Sequence, residues 1–148
     1  MVKSAVVSRE AAVELARVLL VDDAPASRLT LQTVLQASGY RVRSAASAAE
    51  ALRMLEEEEY ELVITALHLE SPEAGHTVLA HARMMDYRPA VALITSHSKR
   101  LIETHGRGVL IQPEEIPALL TKVADLISER ASRKLHRELR HQNAGAAP

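Results

Sequence analysis

The chain reads as an α/β protein, a five-stranded parallel sheet with helices on both faces in a three-layer sandwich. Two observations carry this reading. Short, continuous apolar runs alternate along the chain with stretches whose apolar residues recur at helical spacing. Runs that lack the polar alternation of a half-exposed strand belong to strands buried on both faces, and such strands need helices above and below. The 148 residues are the length of one ordinary domain, enough to bury a core without staples.

The first strand is Arg17-Val18-Leu19-Leu20-Val21, followed by the turn Asp22-Asp23-Ala24-Pro25. A helix over residues 26–38 has Leu31, Val34 and Leu35 on one face and is closed by Gly39. Tyr40-Arg41-Val42-Arg43 is a second, more polar strand, placed at a sheet edge. Ser47 and Glu50 form a capping box, with Leu52 and Leu55 behind it, and this helix ends in four Glu, 56–59. Carboxylates oppose the dipole at a helix C-terminus, so these four are expected to be a frayed, solvated end. Leu62-Val63-Ile64 is the third strand, residues 70–75 a loop, and residues 76–87 a helix with Val78, Leu79, Ala82 and Met85 inward. Val91 to Ile94 is the fourth strand, introduced by Pro89, and Val109-Leu110-Ile111 the fifth. The last helix starts near Pro117 and buries Leu119, Leu120, Val123, Leu126 and Ile127. Residues 1–15 read as an N-terminal arm, 16–128 as the domain, and 129–148 as a basic helical extension with a flexible tail from Asn143.

Composition removes several function classes. With no Cys there is neither a disulfide framework nor thiolate chemistry. A net charge of −1 and the absence of Phe and Trp argue against nucleic acid as a partner of this domain. The apolar runs are strand-sized, too short to span a bilayer, and no signal peptide is evident, so no membrane partner and a cytoplasmic location are expected. No Gly-rich loop follows Val21, which argues against a nicotinamide enzyme, and the acidic turn there would repel a flavin phosphate. His76 and His81, five apart, are out of phase for two metal ligands on one helix face.

Parallel sheets of this kind carry their sites at the C-terminal ends of the strands, so the loops after Val21, Ile64, Ile94 and Ile111 are the ones to inspect. Those loops hold Asp22-Asp23, Thr65-Ala66, Thr95-Ser96 and Gln112-Pro113. In this order and spacing the motifs resemble the receiver domain of bacterial two-component response regulators, the chemotaxis-type, flavodoxin-like fold, over about residues 16–128. The resemblance implies phosphoryl transfer to an Asp at the end of the third strand. An acidic pair holds Mg²⁺, a Lys neutralises charge, and a Ser or Thr hydroxyl bonds the phosphoryl group.

Carried over residue by residue, the acidic pair is Asp22 and Asp23 and the hydroxyl is Thr95, but the acceptor position is Ala66 and the Lys position is Gln112. A methyl group is no nucleophile. The switch aromatic of the family falls on Val109. Two carboxylates without a Lys carry the same formal charge as three with one, so the paired losses leave local repulsion unchanged. Thr95 and Gln112 are 17 residues apart, about one helical turn less than is usual, so the fourth helix is expected to be shortened or displaced.

These residues lead to a degenerate receiver that is not an enzyme. It is expected to act by protein–protein interaction in signal transduction, independently of phosphorylation, with no cofactor beyond weak Mg²⁺ at Asp22 and Asp23. Partners, expected to be signalling proteins, would dock around residues 96–127, with Lys99, Arg100, Glu103, Glu114 and Glu115 presented, or on the first helix. A monomer or weak homodimer is expected. Two other readings stay open: a small-ligand pocket at the former phosphorylation site, and a regulatory module of a longer, DNA-binding regulator.

Overall fold

The computed structural model describes residues 16–67, 69–94, 109–111 and 116–146. Its strands are β1 Arg17–Val21, β2 Arg41–Ala45, β3 Leu62–Ala66, β4 Ala90–Ile94 and β5 Val109–Ile111. The described helices are α1 Pro25–Ala37, α2 Ala48–Glu57, α3 Ala74–Arg83 and α4 Ile116–Ala146. The sheet is parallel throughout, in the order β2-β1-β3-β4-β5. The polar strand β2 is therefore an edge. The segment between β4 and β5, where a shortened helix was expected, lies outside the described residues.

Strand pleating divides the core. Val18 and Leu20 of β1 point to the face covered by Leu31 and Leu35 of α1 and Leu119 and Val123 of α4. Leu19 and Val21 point to the other face, against Ala51, Met54 and Leu55 of α2 and Val78 and Ala82 of α3. Both faces are covered, which is why these strands read as unbroken apolar runs.

Local chemistry fixes the helix ends. Gly39, with φ 101°, follows the last turn of α1, where Tyr40 N donates to Leu35 O at 3.2 Å. Ser47 caps α2, its Oγ accepting from Glu50 N at 3.2 Å, while Glu50 reaches back to Ala46 N. The four Glu ending this segment are solvated as expected, but three of them are also paired. Glu56 meets His81 at 2.8 Å, Glu57 meets Arg53 at 3.2 Å, and Glu58 meets Arg43 at 2.9 Å. Helix α3 starts at Ala74, ahead of the expected 76, so Gly75 lies inside it. Helix α4 runs unbroken to Ala146, past Asn143, where small residues suggested a tail.

At one end of the sheet Tyr60 is enclosed and Tyr87 is half-buried. Tyr60 is 1% exposed and donates to Glu58, and Tyr87 donates to Leu55 O at 2.9 Å. Burial first, then the Glu58 carboxylate, pushes the Tyr60 phenol up to about 12. Tyr87 is pushed up as well, again chiefly by burial. A folded pKa above the unfolded value of 10.0 stabilises the fold fully below pH 10.0, and that contribution is lost as pH rises through about 12. For Tyr60 it is on the order of 2–3 kcal/mol. Alkaline denaturation should therefore be steep across this window and shallower in Tyr60→Phe. Phenolate absorbance followed with circular dichroism checks this: a phenolate signal preceding unfolding would contradict it.

Candidate functional site

The C-terminal edge of the sheet gathers the ends of β1, β3 and β4. Register places Val21 beside Ala45 and Thr65, and Ala66 beside Ile94, so Asp22 and Ala66 stand at the same edge on neighbouring strands. The chain leaves β1 in a short, internally bonded turn. Asp22 N donates to Ala45 O at 3.0 Å, Ala24 N donates to Asp22 Oδ1 at 3.0 Å, and the Arg28 guanidinium donates to Asp22 O at 2.7 Å. The second of these bonds is an Asx turn, which launches α1 from Ala24 and Pro25. Asp22 is 6% exposed, while Asp23 beside it faces water. The Asp22 carboxylate serves the turn and is buried with it.

The third loop offers no acidic group at the strand end. Ala66, half-buried, closes β3, and Leu67 N donates to Ile94 O at 3.0 Å. Thr65, fully buried, turns its hydroxyl onto Ala66 O at 3.0 Å. From Val63 to Gly75 the chain contains no Asp. Its two carboxylates are Glu70 and Glu73, and Glu70 is committed elsewhere. Both its oxygens accept from Ala48 N, at 3.1 and 3.0 Å, at the N-terminus of α2, where a carboxylate also meets the favourable end of the helix dipole.

The backbone of this loop is held from below by α3. A Cβ placed on Gly75 would stand 2.5 Å from Ala66 O and 2.6 Å from Leu67 O. Helix and strand end therefore meet at a distance that only glycine permits. Sequence reasoning read Gly75 as a loop residue, and no local signal distinguishes a turn glycine from one at a close helix–strand approach.

Of the other expected site residues, Thr95 and Gln112 lie outside the described residues, as do Lys99, Arg100, Glu103, Glu114 and Glu115. Val109 is the first residue of β5 and pairs with Ala92. Among the described residues no group of three or more His, Asp or Glu could hold a metal ion. The donor set at the edge is Asp22, with one oxygen in the turn, and exposed Asp23. Mg²⁺ prefers near-octahedral oxygen ligation, and two such carboxylates are a poor fit to it.

Comparison with known proteins agrees with this fold. Residues 18–124 match the family model described as response regulator receiver domain. The chain is 34% identical over 119 residues to the sensory/regulatory protein RpfC of Xanthomonas campestris pv. campestris, covering 74% of this chain and 16% of that protein. It is 31% identical over 121 residues to the transcriptional regulatory protein GlrR of Escherichia coli, covering 78% of this chain and 27% of that one. It thus spans less than a third of the length of either curated relative. Among solved structures, the response regulator TrrA of Thermotoga maritima in complex with Mg²⁺-BeF superposes with a TM-score of 0.65 at 27% identity, covering 76% of this chain and 99% of that one.

Proposed function

The chain belongs to the response regulator receiver family of two-component signalling, and from that premise we propose that it is a receiver that signals without aspartyl phosphorylation, by binding another signalling protein. One observation carries the reading. The third strand ends in Ala66, and no Asp occurs between Val63 and Gly75 to replace it. A phosphoryl group needs an oxygen nucleophile, and the nearest loop carboxylate, Glu70, is fixed to the N-terminus of α2.

Mg²⁺ binding is correspondingly feeble in this reading. Receiver domains bind Mg²⁺ at the phosphorylation site in some cases, and TrrA has been solved in complex with Mg²⁺-BeF. Here the acceptor carboxylate that would complete the ligand set is a methyl group, so affinity in the millimolar range or weaker is expected, about −4 kcal/mol.

The surface proposed for the partner includes α1 as well as residues 96–127. Support comes from Leu29, which is 65% exposed on α1, one residue from the Arg28 that bonds the Asp22 turn. An isolated exposed Leu is ordinary; one rooted beside the former signalling site has a use.

Two measurements test the proposal. Intact-mass spectrometry after acetyl phosphate and Mg²⁺ should show no phosphoryl adduct, and a stable adduct on any Asp would sink it. Affinity capture from the native host should return signalling proteins, and Leu29→Glu should reduce their recovery. Recovery of none from either chain would remove the binding half of the reading.

A further inference from the structure

The last helix outruns the sheet it covers. Its 31 residues span about 46 Å, whereas a five-residue strand spans about 17 Å. It crosses the N-terminal edge of the sheet at Arg130, whose guanidinium donates to Tyr87 O at 2.8 Å and to Arg88 O at 3.1 Å. Arg88, with φ 45°, is held in the left-handed region at this turn. Beyond that point residues 131–142 are exposed, except for the half-exposed Arg137. A helix segment of this length without tertiary packing is marginal in water.

The buried stripe of α4 does not stop at the edge; it changes character. Leu119, Val123 and Leu126 are followed at the same spacing by Arg130, Arg133 and Arg137, with Lys134 alongside. The face that packs on the apolar sheet becomes cationic once it leaves the body, so a surface continuing to cover it must be anionic.

Such a surface lies at the same edge. A groove of about 830 Å³ is lined by six carboxylates, Glu at 56–59, Glu61 and Asp86, against the single guanidinium of Arg17. Arg43, Arg53 and His81 occupy three of the Glu, while Glu59 and Asp86 stay exposed. Met84, 77% exposed, and Tyr87 give the groove an apolar side. A straight helix rooted at Tyr87 and Arg88 cannot turn back into the groove of its own body.

We propose that the basic extension of one copy lies in the acidic groove of a second copy, and reciprocally, in a two-fold dimer joined at the N-terminal edges of the two sheets. The contact is isologous, because helix and groove sit at one edge of one chain. It is charge-driven, and therefore weakens with salt.

Sedimentation velocity on the whole chain at low and high ionic strength reads this out. The expected result is a dimer at low salt that dissociates at high salt. Arg133→Glu/Arg137→Glu should weaken it roughly tenfold or more, and Glu59→Lys/Asp86→Lys likewise. Both pairs together should restore it, since the charges are exchanged and not removed. Arg133, Glu59 and Asp86 are exposed and Arg137 half-exposed, and unchanged thermal melts confirm that the variants fold. Leu135→Ser/Leu139→Ser alters two exposed leucines on the opposite side of the extension and should leave the dimer intact. A monomer at all salt concentrations overturns the proposal. So does a dimer indifferent to charge reversal but abolished by the leucine substitutions, which would make the contact a helix-to-helix seam.

Discussion

Gly75→Ala is expected to destabilise the domain by roughly 2–4 kcal/mol, although alanine is the better helix former. Gly75 is the second residue of α3, and helix propensity alone would favour alanine by about 1 kcal/mol. The opposing effect is steric. The new methyl would meet two carbonyl oxygens at 2.5 and 2.6 Å, and both belong to the backbone of Ala66 and Leu67. A side chain can rotate away from a clash, but these atoms cannot. Ala66 is hydrogen-bonded into β3, and Leu67 N is tied to Ile94 O. Helix α3 cannot back away either, because Val78, Leu79 and Ala82 are fully or almost fully buried beneath it. Urea denaturation of the two proteins decides the matter. A variant as stable as the parent, or more stable, would mean that helix and strand end do not approach as closely as described.

Ala66→Asp should make the domain sensitive to Mg²⁺ without making it a switch. The substitution sets a third carboxylate beside Asp22 and Asp23 with no Lys to offset it, since Gln112 is neutral. Repulsion raises at least one carboxyl pKa and lowers the stability of the metal-free domain, the more so because Asp22 is already buried. Mg²⁺ relieves the repulsion. At about ten times its Kd the metal stabilises by about 1.4 kcal/mol, or roughly 3–5 °C in melting temperature for a domain of this size. The parent should shift far less. Adding Gln112→Lys should recover stability in the absence of metal. Thermal melts with and without Mg²⁺ check both statements, and equal Mg²⁺ shifts in parent and variant would refute the placement of Ala66 beside the acidic pair.

The inner strands β1, β3 and β4 were legible because they are buried on both faces and so leave apolar runs, as in Val18 to Val21, and β2 was legible as an edge because Arg41 and Arg43 interrupt it with exposed charges. The starts of α1 and α2 were legible because Pro25, Ser47 and Glu50 act within a few residues of where they stand. What escaped was non-local. Glu56 finds His81 25 residues away, and Glu58 finds Arg43 15 residues away, so a segment judged by its own dipole showed its solvation but not these surface pairs. The role of Glu70 escaped for the same reason, since Ala48 lies 22 residues earlier. Asp22 was placed in the right loop, but its burial follows from the Asx turn, which depends on geometry that residue types do not encode. That the third strand ends near Ala66 could be read from the motif order, because the strands on either side of it are themselves recognisable.

The division of the core between the two sheet faces also governs how the chain is made. The face bearing Val18, Leu20, Ile64 and Ala92 is closed partly by α1 and partly by Leu119 and Val123, which come late in the chain. During synthesis, α1 and the first strands emerge many residues before α4 does, and until then half of that face has nothing to cover it. That face is therefore complete only once Val123 has left the ribosome, and a nascent chain stalled earlier is expected to expose a strand-rich apolar surface of the kind that chaperones bind and that aggregates when they do not.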